Sequence, residues 1–275
     1  MDFPLAADWL PLAALLLATG LVAGVVGGML GVGGGIVIVP VLYHLLGRLG
    51  VDPSVRMHLA VGTSLGTIVL TALRSVQSHR VRGAVDEALL RSLALAVLVG
   101  VLAGSLLARR VDGRVLTGVF GAVALVVALH MALGREGWKL RDGLPEGPAR
   151  AALGALIGFF SVLMGLGGGT LGVPILSIFG VPIHRAVGTA AGLGLLIGVP
   201  GCISFALSGQ GVPGRPPFSV GYVSLLGLAA ITPATWLAAP FGARLAHALP
   251  RVWLRRAFAL FLALTAARML GALRS

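Results

Sequence analysis

The chain has 275 residues, 57% of them hydrophobic and 11% charged, with a mean hydropathy of +1.00. A soluble globular domain carries about 25% charged residues, so this composition excludes that class and reads as an integral membrane protein. The formal charge of +12 does not mark a nucleic-acid binder, because the arginines stand singly or in small groups at the ends of apolar runs, where they anchor in headgroups.

At about 20 apolar residues per crossing, the runs predict an all-α protein of about eight transmembrane helices. They lie near residues 10–30, 59–77, 88–108, 115–133, 150–166, 186–208, 219–242 and 252–271. The short runs 36–47 and 170–180 are too brief to cross alone and read as half-helices or re-entrant arms. A membrane barrel is excluded, since these runs are apolar on all sides rather than alternating.

The first run begins with Asp2 and Asp8 rather than basic residues, so it reads as a retained helix and not as a signal peptide. It leads into a glycine-rich break, Gly31 to Gly35. Unpaired backbone amides are costly in hydrocarbon, so this break must be buried in protein or line a watered cavity. The helix that restarts at Ile36 tolerates Pro40 near its first turn, where amides lack intrahelical partners.

A polar connector then reaches the segment MHLAVGTS, from Met57 to Ser64. Thr63, Ser64, Thr67 and Thr71 recur every three to four residues at most and share roughly one helical face, a candidate lining. His58, at the loop end of that span, reads chiefly as an interfacial anchor, with proton-linked or anion contact as the alternative. The polar stretch from Gly134 to Arg150 divides the chain into a first repeat (1–140), a linker (141–149) and a second repeat (150–275).

The division rests on internal duplication. A shift of 134 residues places Gly24 on Gly158, Gly31 on Gly165, the triplet Gly33, Gly34 and Gly35 on Gly167, Gly168 and Gly169, and Pro40 on Pro174. A second shift, of 126, places His58 on His184 and Thr63 on Thr189, while Ser64 meets Ala190. Two homologous halves, each with a broken helix, are how transporter sites near the bilayer midplane are commonly built.

The amino ends of the restarted helices aim positive dipole ends and free amides at a bound anion. The substrate-binding candidates are therefore Gly33, Gly34, Gly35 and Ile36 in the first copy and Gly167, Gly168, Gly169 and Thr170 in the second. The hydroxyls of Thr63, Ser64 and Thr189 join them, and His58 and His184 are candidate proton or anion contacts. No predicted span carries an interior carboxylate, which favours an anionic substrate over a cation.

Other chemistries fit less well. Asp52 lies 21 residues after Gly31, as a dinucleotide site would want, but no strand precedes the glycines. A membrane-embedded enzyme needs a nucleophile beside a base, and Cys202, the single cysteine, stands alone in an apolar run. It also excludes an intrachain disulfide and a cysteine metal cluster; no cofactor or metal is expected. A non-transporting scaffold would not need repeated helix breaks at membrane depth.

The paired motifs GVGGGIVIVPVL with AVGTS and GLGGGTLGVPIL with AVGTA resemble those of the sulfite exporter TauE/SafE family of membrane permeases, over residues 10 to 271. The resemblance implies a permease of two homologous halves in the bacterial inner membrane, with export of sulfite or organosulfonates in some members. The expectation is a secondary transporter, not an enzyme, moving a small anion by alternating access, with another anion such as a carboxylate as the alternative. The partners expected are the substrate anion and the lipid bilayer, and a homodimer would be an ordinary assembly.

Overall fold

In a computed structural model, which describes residues 6–30, 33–133, 140–248 and 251–273, the apolar runs form ten α-helices. The first five are α1 (Ala6–Leu30), α2 (Gly35–Arg48), α3 (Pro53–Val81), α4 (Glu87–Ala108) and α5 (Gly113–Leu133). The second five are α6 (Pro148–Met164), α7 (Gly169–Ile178), α8 (Ile183–Ser208), α9 (Leu225–Ala248) and α10 (Arg251–Gly271). Both helix breaks fall where the glycines stand, although Gly31 and Val32 of the first, and residues 134–139 of the polar linker, lie outside the described residues.

Local chemistry sets several boundaries. Pro53 opens α3, and the Asp52 carboxylate accepts from the Ser54 amide at 2.8 Å; the Asp86 carboxylate likewise accepts from the Leu89 amide at 3.0 Å to cap α4. The run expected to be helical from residue 219 starts instead as a two-residue hairpin, β1 (Ser219–Val220) with β2 (Val223–Ser224). The Tyr222 amide at its turn donates to the Phe205 carbonyl at the end of α8, and Gly221 adopts φ 56° against Ala206, so these residues are committed to a turn before α9 begins.

Five helices, α3, α4, α5, α8 and the greater part of α9, are long and apolar enough to cross a bilayer. The most enclosed is α3, with 78% of its apolar stretch buried against 33% for α4. Outward, α4 shows Leu95, Val99, Leu102 and Leu106, an apolar ridge that a bilayer would cover.

The helices interleave. The main pairings are α1 with α9, α6 with α4, α3 with α8 and α5 with α10, while α2 lies on α3 and α7 on α8. The four pairings α1–α9, α4–α6, α3–α8 and α5–α10 each join a helix of the first five to one of the last five, whereas α2 and α7 pack within their own sets.

Close approaches fix the helix directions. Gly20, Gly24 and Gly28 of α1 back in turn onto Ile231, Thr235 and Ala239 of α9, so α1 and α9 run parallel. Gly154 and Gly158 of α6 back onto Leu93 and Val97 of α4 in the same sense. By contrast α3 and α8 are antiparallel, since Gly66 meets Cys202, Leu65 and Ile68 meet Gly198, and Ala72 meets Gly194.

The end of the bundle where α3 begins is here the proximal end. There the Thr63 hydroxyl meets Ser224 at the start of α9, so α9, and the parallel α1 with it, also begin at that end. Since α2 is joined to α3 by residues 49–52, α1 and α2 form a hairpin that opens proximally. The same reasoning, from Thr189 beside Asp86, makes α6 and α7 a hairpin that opens at the opposite, distal end. The α5–α6 connection is tied there too, the Leu140 and Gly143 amides donating to the Ile178 and Phe179 carbonyls.

Candidate functional site

The two hairpin tips meet. α6 closes at Gly165, whose φ of +66° is a left-handed cap that frees its carbonyl from the helix, while the Leu166 amide turns back to the Ser161 carbonyl at 2.9 Å. The other tip carries Gly33 and Gly34 at φ 72° and 79°, where a side chain would be strained, and the Gly34 carbonyl starts α2 by accepting from the Val37 amide at 3.0 Å. Gly35 sits directly on the Gly165 carbonyl oxygen, leaving no room for a Cβ.

The meeting point lies near mid-length of the two central helices. Ser64 of α3 donates its hydroxyl to the Gly165 carbonyl at 2.7 Å, and Ile68, one turn on, packs against Gly33. Gly168 packs against Ala190, Leu193 and Gly194 of α8. No side chain caps α2 or α7. The amides that open each helix, those of Gly35 and Ile36 and of Gly169 and Thr170, precede the first intrahelical acceptor, so both helices present free donors and positive dipole ends in this buried region.

The surrounding polar groups are neutral. Thr67 returns its hydroxyl to the Ser64 carbonyl at 2.7 Å, and Thr71 donates to the Thr67 carbonyl. Ser161 and Thr170 are 0% and 1% exposed, and neither hydroxyl makes a hydrogen bond. Among the described residues, the buried polar side chains are hydroxyls and two histidines, with no buried Asp, Glu, Lys or Arg and no cluster able to hold a metal ion.

The expected residues divide into three groups. Gly33, Gly34, Gly35, Ile36, Ser64, Gly167, Gly168, Gly169 and Thr170 are all buried at or beside the two breaks. Thr63 and Thr189 have other engagements. The Ser224 amide donates to the Thr63 hydroxyl at 2.9 Å, and the Asp86 amide donates to the Thr189 hydroxyl at 3.0 Å. Ser224 and Asp86 are the residues just before α9 and α4, so each threonine holds the start of a helix from the other half of the chain.

The neighbouring glycines of that motif permit the fit, Gly62 backing onto the Tyr222 carbonyl and Gly188 onto the Ala84 carbonyl. The two histidines lie at opposite ends. His58 is buried at the proximal end with Nε2 3.0 Å from the Ala108 carbonyl oxygen and its ring stacked 4.8 Å from that of Tyr222. His184 is exposed on the first turn of α8, at the distal end.

Sequence reasoning passed over Ser161 and the Gly165 carbonyl. The signal for Ser161 was available, because it stands where the first copy has Gly27; nothing local announces a carbonyl that another helix must satisfy.

Comparison with known proteins bears on this arrangement. The family described as Sulfite exporter TauE/SafE matches residues 16–269. A probable membrane transporter protein of Haemophilus influenzae is 35% identical over 255 residues, covering 93% of this chain and 97% of that protein. One of Methanocaldococcus jannaschii is 28% identical over 220 residues, 79% of this chain and 80% of its own. Another, of Bacillus subtilis, is 27% identical over 248 residues, 83% and 86% of the two chains. No solved structure matches the chain.

Proposed function

Given that the chain belongs to the sulfite exporter TauE/SafE family and is a membrane transporter, we propose that it is a secondary exporter of a small anion such as sulfite or an organosulfonate. The observation that carries this reading is the meeting of two helix breaks at the centre of the bundle. There, unpaired amides and hydroxyls face no buried carboxylate among the described residues. A dry region of neutral donors with helix amino ends stabilises an anion and offers a cation little.

In this reading α3, α4, α5, α8, α9 and α10 cross the inner membrane of a bacterium. The hairpins α1–α2 and α6–α7 enter from opposite sides and stop near the midplane, so the runs 10–30 and 150–166 serve as re-entrant arms rather than as two further crossings. Odd numbers of crossings then make the two halves inverted in the bilayer, the geometry on which alternating access is commonly built. Transport is driven by a proton gradient or the membrane potential.

The test is efflux of radiolabelled sulfite from proteoliposomes of the purified protein, with sulfate, taurine and a dicarboxylate as competitors. Saturable sulfite flux that taurine or sulfate reduces supports the reading. Flux inhibited by the dicarboxylate alone would move the assignment to a carboxylate permease. Sulfite flux unchanged after both gradients are collapsed would remove the coupled mechanism.

A further inference from the structure

The two helix breaks are chemically unequal. Residue for residue, the duplication pairs Gly27 with Ser161, Ile36 with Thr170 and Ala190 with Ser64. The first two exchanges add a hydroxyl to the second break, on α6 and α7, while the third places one on α3, beside Gly35 of the first break. Ser161 stands on the last turn of α6, Thr170 on the first turn of α7, and Ser64 reaches from α3 to the Gly165 carbonyl.

Two of these hydroxyls are enclosed and unpaired, Ser161 at 0% and Thr170 at 1% exposure. Leaving such groups unsatisfied opposes folding, and the first break is built with Gly27 and Ile36 instead, so the fold does not require them. Gly27 faces the Gly34 amide at the start of α2. Its counterpart Ser161 stands one turn before the Gly165 cap, on the arm that leads through Gly167 and Gly168 into α7.

Resting on the anion-transporter reading, we infer that the substrate is held at the second break alone, by the first-turn amides of α7 together with the hydroxyls of Thr170 and Ser161. The ligand this fits is a small oxyanion with at least two acceptor oxygens, bound through neutral donors. Ser64 is a positioning residue: by donating to the Gly165 carbonyl it engages an oxygen that would otherwise repel the anion. The first break, with Gly27 and Ile36 in place of Ser161 and Thr170, supports the second through Gly35.

The test is the affinity of the full-length protein for sodium sulfite, measured by isothermal titration calorimetry in detergent, with proteoliposome flux alongside. Thr170→Val and Ser161→Ala are each expected to weaken binding about tenfold, as loss of a hydrogen bond to an anion does, while Thr170→Ser restores it. Ile36→Val, the matched change at the first break, leaves affinity within about twofold. Ser64→Ala weakens binding and Ser64→Thr recovers it. Unchanged affinity in both Thr170→Val and Ser161→Ala, or an equal loss in Ile36→Val, would overturn the one-sided site. Absence of saturable sulfite binding and flux in the wild-type protein would overturn the sulfite-exporter reading, and the oxyanion site with it.

Discussion

Ser64 on α3 donates its hydroxyl hydrogen to the Gly165 carbonyl at 2.7 Å, joining the middle of one half's long helix to the helix break of the other. That carbonyl projects from a left-handed cap into a buried region, so the hydroxyl answers a group that water does not reach. Ser64→Ala is expected to cost about 1–3 kcal/mol, the range for a buried acceptor left unpaired. Thermal unfolding of the detergent-solubilised protein reads the loss; an unchanged midpoint would mean that the carbonyl finds another donor.

Thr63→Val and Thr189→Val each remove the acceptor of an amide that starts a helix of the other half. The expected loss is about 1 kcal/mol apiece, with the sulfite KM of the reconstituted protein unchanged within about twofold. A raised KM with unaltered stability would put these hydroxyls in the substrate path instead.

Close backbone approach makes some glycines irreplaceable on volume alone. A Cβ at Gly158 would run into the Val97 carbonyl of α4, and one at Gly28 into the Ala239 carbonyl of α9, whereas nothing lies within 4 Å of one at Gly271. Gly158→Ala and Gly28→Ala should each lower stability by about 1–3 kcal/mol by forcing paired helices apart, and Gly271→Ala should be near neutral. Melting followed by size-exclusion chromatography separates the three.

Orientation becomes readable once helix directions are known. Among the described helices and connections, Arg48, Arg56, Arg109, Arg110, Arg114, Arg215 and Arg268 fall toward the proximal end, against ten arginines between Arg80 and Arg256 toward the distal end. The excess of positive charge predicts a cytoplasmic distal end. In a Cys202→Ala background, Arg110→Cys should react with a membrane-impermeant maleimide added outside intact cells, and Arg82→Cys should not. The reverse pattern would invert the assignment.

At the proximal end, the Ser54 hydroxyl and amide both donate to Asp52 and hold its carboxyl below the usual carboxylate range. A depressed folded-state value means that the stabilisation is fully present above the unfolded-state range and is lost as the pH falls through the lower folded value. The gap in unfolding temperature between wild type and Asp52→Asn should therefore be constant near neutrality and close in acid. A gap that widened on acidification would contradict this capping role.

Much of the fold was legible because its signals are local. Apolar runs of helical length and the glycine triplets at Gly33 and Gly167 act within a few residues of themselves, so they mark where helices run and break. The β1–β2 hairpin was misjudged for the complementary reason: Ser219 to Ser224 is apolar enough to extend a helix, and only the distant Phe205 carbonyl draws the Tyr222 amide into a turn.

The candidate site was half legible on the same grounds. Glycine breaks announce free amides wherever they occur, but Thr63 and Ser64 are adjacent in sequence and serve different partners, Ser224 and Gly165. Successive residues on a helix point about 100° apart, so which hydroxyl faces a break depends on which neighbour lies on which side.

By itself, then, the sequence determined the class of protein and the order of helices and breaks, because hydropathy and glycine act through the local chain. The tertiary structure decided that α1 packs on α9 and α6 on α4, that the two hairpins enter from opposite ends, and that both breaks meet between α3 and α8. Those outcomes depend on the facing of helices remote in the chain, where close backbone contact and single hydrogen bonds such as that of Ser64 select one arrangement from many of similar hydropathy.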